Sequence, residues 1–269
     1  MSEQALRLTV PDLIGMKESG SRIVALTAYD AAFASLMDRA GVDLVLVGDS
    51  LGMVVQGRRN TLSVTLEEVL YHATLVSRGL NRAALAVDLP FLSYTNVHQA
   101  LDAAGKIVRA SDACLIKLEG GRERKEVVEA LSRENIPVCA HLGLLPQSVH
   151  RLGGFWMQGK DPSAAQRLVD DAKMLEQAGA SVLFLECIPS LLAEKITSSV
   201  RIPTIGIGAG PGCDGQILVS YDMLGLSDHM PKFCKDFLKG QPQGIEGALR
   251  DYVAAVRTGN FPAESNGHN

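Results

Sequence analysis

Six hydrophobic runs in this chain each end on a polar, mostly ionisable residue. Residues 23–28 end at Tyr29, 44–48 at Asp49, 83–87 at Asp88, 114–118 at Glu119, 138–140 at His141 and 182–185 at Glu186. One apolar strand that stops at a charge is ordinary. Six of them, with helical spacing in between, read as strands that deliver side chains to one shared rim.

Segments with apolar residues three and four apart separate these runs, at 31–40, 66–80, 98–110, 125–135, 164–178 and 191–200. Thr65 is placed to cap the second of them, with Glu67 and Glu68 in its first turn, and Gly41 and Gly179 follow helices where a left-handed residue ends the turn. Two more strands, at 204–207 and 216–219, bring the count to eight. Eight strands alternating with helices predict an α/β chain folded as a (β/α)8 TIM-type barrel rather than an open doubly wound sheet. A chain of 269 residues with 46% hydrophobic content suits one such barrel. The prediction is a single catalytic domain over 1–261, with an extra N-terminal helix at 10–18 plugging the floor, a last helix at 245–257, and a disordered tail over 262–269. The longest predicted loops, 52–64 and 143–162, follow strands, where a barrel builds its active site.

A net charge of -4 with Lys and Arg scattered argues against a nucleic-acid partner. No apolar stretch approaches the roughly 20 residues that cross a bilayer, and residues 1–7 lack the apolar core of a secretory signal, so a cytoplasmic location is expected. The five cysteines, Cys114, Cys139, Cys187, Cys213 and Cys234, are odd in number and without C-x-x-C spacing; they read as small core residues with no chemistry assigned.

Asp49, Asp88 and Glu119 stand at three successive strand ends, so in a barrel they converge. Three adjacent carboxylates in a low-dielectric cleft repel one another unless a cation is present, and all-oxygen ligands favour Mg²⁺ ahead of Mn²⁺ or Ca²⁺. The plainer alternative is that each one caps a helix or pairs with a Lys or Arg. Lys117, two residues before Glu119, projects from the same face. It could neutralise an anionic substrate, act as a base or hold Glu119 in place; a Schiff-base lysine, as in class I aldolases, competes with these. Glu186 is expected to face the cluster across the mouth as a general base with a raised pKa. Tyr29 and His141 are candidates for orienting substrate, His141 equally for shuttling a proton or filling a buried hydrogen bond. Gly206, Gly208, Gly210 and Gly212 permit tight turns, and no Walker lysine follows them. Phe155 and Trp156 sit in a long loop, to cover the site or to meet another subunit.

In order and spacing, several stretches closely resemble the ketopantoate (3-methyl-2-oxobutanoate) hydroxymethyltransferase family across 12–257. They are Leu-Thr-Ala-Tyr-Asp at 26–30, Val-Gly-Asp-Ser-Leu-Gly-Met at 47–53, Asp-Leu-Pro-Phe-Leu-Ser-Tyr at 88–94, Ile-Lys-Leu-Glu-Gly-Gly at 116–121, His-Leu-Gly-Leu-Leu-Pro-Gln-Ser at 141–148 and Ile-Gly-Ile-Gly-Ala-Gly at 205–210. The resemblance implies a (β/α)8 barrel and Mg²⁺. It also implies transfer of a hydroxymethyl unit from 5,10-methylenetetrahydrofolate to 3-methyl-2-oxobutanoate through a Mg-stabilised enolate, giving 2-dehydropantoate in pantothenate biosynthesis. Carried onto matching positions, it implies metal coordination by Asp49, Asp88 and Glu119, directly or through water. Substrate contacts fall to Asp49, Ser50, Asp88 and Lys117, with Glu186 as proton acceptor, in a homo-oligomer of ten subunits. Leu145 stands where the family pattern has Thr and Tyr221 where it has His; both are expected to lie away from the metal set. Two rival classes are a metal-dependent barrel lyase of the isocitrate lyase or phosphonopyruvate kind, separable by folate dependence, and a non-catalytic barrel.

Overall fold

Strands β1 (Ile23–Thr27), β2 (Leu44–Val47), β3 (Ala84–Asp88), β4 (Leu115–Glu119), β5 (Val138–Gly143), β6 (Ala180–Glu186), β7 (Thr204–Ile207) and β8 (Gly215–Leu218) pair in chain order, all parallel, and β8 closes on β1. They come from a computed structural model that describes residues 7–228 and 230–263. The helices that cross between strands are α2 (Ala31–Ala40), α4 (Leu66–Gly79), α5 (Val97–Ser111), α6 (Lys125–Arg133), α8 (Pro162–Gln177) and α9 (Ser190–Ser199), and α11 (Gly244–Thr258) follows β8 and packs on β1 and α2. Three four-residue helices, α3 (Leu51–Val54), α7 (Val149–Leu152) and α10 (Ser220–Met223), lie within loops after strands. The eight-stranded barrel of the sequence reading is therefore the observed architecture.

Two apolar layers hold it. One lies between strands and helices; the other fills the barrel, with Leu44 and Leu46 of β2, Ala84 and Ala86 of β3, and Val182 and Phe184 of β6 all buried in it. Helix α1 (Val10–Glu18) adds Leu13, fully buried, to this inner layer and so closes the floor as expected. Burying such a leucine stabilises the fold by roughly 1.5–3 kcal/mol. Lys17 fixes the helix there, donating to the carbonyls of Thr197 (3.1 Å), Val200 (3.1 Å) and Ile202 (3.0 Å) and pairing with Asp214 at 2.9 Å.

Side chains on a strand alternate faces, so each inward column continues upward in steps of two. On β3 the column runs Ala84, Ala86, Asp88; on β4, Leu115, Lys117, Glu119; on β6, Val182, Phe184, Glu186. The apolar layer below and the ionisable layer above are thus one periodicity read to its end.

Some boundaries differ from the sequence reading. Strand β5 continues through His141 to Gly143, so His141 points inward from within a strand instead of ending it. Strands β1 and β2 stop before Tyr29 and Asp49, which stand in the following loops, and β8 begins and ends one residue earlier than expected. The short helices went unforeseen because four residues make one turn, too few for a repeat to show. Residues 264–269 of the predicted tail lie outside the described residues. No helix among the described residues is long and apolar enough to cross a membrane.

Candidate active site

Register decides which groups meet. Asp88 pairs with Lys117, Glu119 with His141 and Gly143 with Glu186 across neighbouring strands. Lys117 Nζ lies 2.9 Å from Asp88 Oδ1 and 3.6 Å from Glu119 Oε1, with all three side chains almost wholly buried. The backbone N–H of Asp49 donates to Asp88 Oδ2 at 2.9 Å, which draws the loop after β2 onto β3. Gly48 makes this approach possible: a Cβ there would come within 2.9 Å of Ser50 Oγ and 3.4 Å of Asp88 Oδ2. The structure thus brings Asp49, Asp88, Lys117 and Glu119 together, as expected.

Burial sets the protonation pattern. It pushes Asp49 up to about 7, with the Asp88 charge adding to the effect, and raises Glu119 well above the usual carboxylate range despite Lys117 beside it. Lys117 feels the opposite balance: burial disfavours its charge, but Asp88, Glu119 and Asp49 more than compensate and raise it. The ion pair with Asp88 thus favours the ammonium form of Lys117, whereas a Schiff-base lysine must be neutral to attack. Among the described residues no three His, Cys, Asp or Glu side chains converge as a ready metal cage, and Lys117 Nζ lies within ion-pair distance of both Asp88 and Glu119. Glu119 Oε1 is buried without a hydrogen-bond donor among the described residues, where Asp88 Oδ1 has only the Lys117 ammonium, at 2.9 Å.

Glu186 joins this cluster through His141. Its Oε2 lies 3.3 Å from His141 Nε2, while His141 Nδ1 is 3.9 Å from Glu119 Oε1; neither ring nitrogen makes a hydrogen bond among the described residues. Burial, helped by the Lys117 charge, holds His141 well below its usual pKa and so neutral. Burial also pushes Glu186 up to about 7. Gly143 lets the strands meet here: its φ is 98°, and a Cβ would fall 2.2 Å from the Glu186 carbonyl oxygen.

Tyr29 shares a 2.9 Å hydrogen bond with Ser50 Oγ and meets Tyr221 edge-on, ring centroids 5.7 Å apart. Tyr221, where the family pattern has His, thus packs behind Tyr29, whose hydroxyl bonds Ser50. Leu145 lies closer than expected, lining a cleft that also contains Glu119.

Two residues that carry the geometry were missed in the sequence. Gln147 Nε2 donates to Asp49 Oδ2 (2.8 Å) and to the Leu89 carbonyl (3.0 Å), and its backbone N–H donates to Glu119 Oε2 (3.0 Å). Tyr94 donates its hydroxyl to Gln147 Oε1 at 2.5 Å, which fixes the amide with its nitrogen toward Asp49. Both lie in stretches that carry the family resemblance, the only signal that could have pointed to them.

The family model for ketopantoate hydroxymethyltransferase matches residues 7–264. The chain is 53% identical to the 3-methyl-2-oxobutanoate hydroxymethyltransferase of Methylococcus capsulatus, over 96% of this chain and 95% of the relative. It is 55% identical to that of Magnetococcus marinus, over 95% and 96%. In fold it is similar to a phosphonopyruvate hydrolase solved in complex with oxalate and Mg²⁺ (TM-score 0.61, 14% identity, 79% of this chain and 81% of that one). It is also similar to 2,3-dimethylmalate lyase, a member of the PEP mutase/isocitrate lyase superfamily (TM-score 0.59, 18% identity, 81% and 83%).

Proposed function

The chain belongs to the ketopantoate hydroxymethyltransferase family, and we propose that it moves the one-carbon unit of 5,10-methylenetetrahydrofolate to 3-methyl-2-oxobutanoate, with Asp49, Asp88 and Glu119 holding Mg²⁺ directly or through water. The observation that supports this most is the charge imbalance in the mouth. Once ionised, the three buried carboxylates face one ammonium with an excess of two negative charges, the charge of one divalent cation, and without a cation burial keeps protons on Asp49 and Glu119. Glu119 Oε1, buried without a donor among the described residues, and Asp88 Oδ1, which has only Lys117 beside it, are hard oxygen ligands of the type Mg²⁺ takes. Bound there, Mg²⁺ supplies a Lewis acid that draws negative charge onto the oxygens of a 2-oxo acid.

The chain's own residues do the rest. Lys117 offsets the negative charge of the substrate carboxylate, and the Tyr29–Ser50 hydrogen bond holds the Ser50 hydroxyl beside the cluster. Glu186 takes the C3 proton; with its pKa near neutrality it is half ready as a base at working pH. A neutral His141 packed against it restrains the carboxylate without adding a charge that would lower its basicity. Both carbon–nitrogen bonds of the donor's methylene carbon break: water gives its oxygen to that carbon and its two protons to the two folate nitrogens. The electron pair left at C3 forms the bond to the resulting one-carbon aldehyde unit, and the proton held by Glu186 passes to its oxygen. The hydroxyl oxygen of the product comes from water, because the donor's methylene carbon carries only nitrogen.

The test is product formation by purified protein given 3-methyl-2-oxobutanoate, 5,10-methylenetetrahydrofolate and Mg²⁺. 2-Dehydropantoate should form only when all three are present. Equal turnover without the folate, or none with the full set, would overturn the reading.

A further inference from the structure

A cleft opens beside the cluster, between the loops that follow β3, β4 and β5. Its empty space is about 550 Å³, part of it open to solvent. Burial orders its lining: Glu119 (3% exposed) and Gln147 (7%) lie at the inner end, and Phe91 (38%) and Leu92 (61%) at the outer. Glu186 does not line it, so the cleft reaches the cluster from a side other than that of the base.

The lining has two chemistries. Phe91, Leu92, Tyr94 and Leu145 present flat or apolar surface. Leu92 is held with φ at 64° in a turn closed by Ser93 N–H donating to the Pro90 carbonyl at 3.1 Å. Glycine is the usual residue at such a position, and a strained, exposed leucine there presents its side chain at a backbone cost, a feature that clusters at binding sites. The second chemistry is cationic. Arg151 is exposed and its side chain has no hydrogen-bond or ion-pair partner among the described residues. Arg124 sits over the Tyr94 ring at 4.8 Å and donates to the carbonyls of Glu119 (3.3 Å) and Tyr94 (3.4 Å), which keeps its guanidinium at the cleft. Glu123, the one carboxylate of the outer lining, is turned to the Gly121 N–H at 3.2 Å. Flat apolar walls that lead to guanidinium groups fit an aromatic ligand with a carboxylate tail.

We propose that this cleft binds the one-carbon donor, its ring system between Phe91, Leu92 and Leu145 and its glutamyl carboxylates on Arg151 and Arg124. The proposal rests on the reading of a folate as donor. It places the transferred carbon at the inner end, beside Glu119 and Gln147, while the proton leaves toward Glu186. Leu145, where the family pattern has Thr, makes one wall of the cleft apolar.

Steady-state kinetics of the full-length protein with Mg²⁺, varying each substrate in turn, test it. Arg151→Ala removes an exposed charge that takes no part in folding contacts, and Leu92→Gly removes the side chain while keeping a backbone conformation glycine takes readily. Each should raise KM for 5,10-methylenetetrahydrofolate by about fivefold, the size of a partly exposed contact. KM for 3-methyl-2-oxobutanoate should not change. With a donor lacking the glutamyl group, Arg151→Ala should behave as wild type. Unchanged donor KM in both variants, or equal rises for both substrates, would overturn the cleft as the donor site. A wild-type enzyme that exchanges the C3 proton of the oxo acid with solvent but uses no folate would remove the donor reading, and the proposed occupant with it.

Discussion

Gln147 donates its side-chain amide to Asp49 Oδ2 across 2.8 Å and so ties the loop after β5 to the loop after β2 over the barrel mouth. Its backbone N–H on Glu119 Oε2 does the same for β4. Each bond occupies one oxygen of a carboxylate, which decides the oxygen left for a cation or substrate.

Gln147→Ala should therefore weaken the site before it weakens the fold. It leaves the Tyr94 hydroxyl and Asp49 Oδ2 without their buried partner, a loss of about 1–3 kcal/mol in stability. Mn²⁺ affinity, followed by electron paramagnetic resonance, should fall as well. Gln147→Glu should be worse for the metal, because it sets a further carboxylate against Asp49. Full Mn²⁺ affinity in both variants would show that the amide does not position these ligands.

Gly143→Ala should damage the same mouth from its other side. A Cβ at φ 98° would meet the Glu186 carbonyl at 2.2 Å, so β5 and β6 must part or the backbone must turn. The expected cost is about 1–3 kcal/mol by urea denaturation. A larger fractional loss in kcat than in oxo-acid affinity should accompany it. Wild-type stability would mean that the strands part here without penalty.

The pH dependence of the metal-free protein follows from Asp49 and Glu186. Burial pushes both up to about 7, from ordinary values of 3.8 and 4.5, so the folded state holds their protons more tightly than the unfolded state. Their contribution is fully present below the ordinary values and is lost as pH rises to about 7. With a chelator, Tm should fall across that window, and Mg²⁺ should flatten the fall by stabilising ionised Asp49. A Tm that rises through the window without metal would contradict the assignment.

The barrel and most of its mouth were legible because both follow from one repeat. Alternation along β3, β4 and β6 carries apolar columns up to Asp88, to Lys117 and Glu119, and to Glu186, and that pattern can be read in a single strand. Gln147 and Tyr94 were not legible, since their partners lie on other loops and at the end of β4, and no local spacing encodes such a contact. The end of β5 was read too early at His141 for a related reason. The run ends at the first polar residue, whereas β5 continues to Gly143 because its backbone still pairs with β6.

Glu186 separates proton removal from carbon transfer. If it is the base, its carboxyl must be ionised to act, so kcat should rise with pH through about 7. Enzyme with Mg²⁺ and 3-methyl-2-oxobutanoate in D₂O should exchange the C3 proton without folate, because that step needs neither the donor nor its leaving group. Loss of the C3 proton signal by NMR reports it. Glu186→Gln should slow both exchange and turnover by roughly 10²–10⁴, with little change in oxo-acid affinity, since a base that acts in the transition state adds little to ground-state binding. It should also abolish the rise near neutrality. Undiminished exchange in this variant, with background exchange subtracted, would move the base elsewhere. His141 would then be the first candidate, as the neutral imidazole 3.3 Å away.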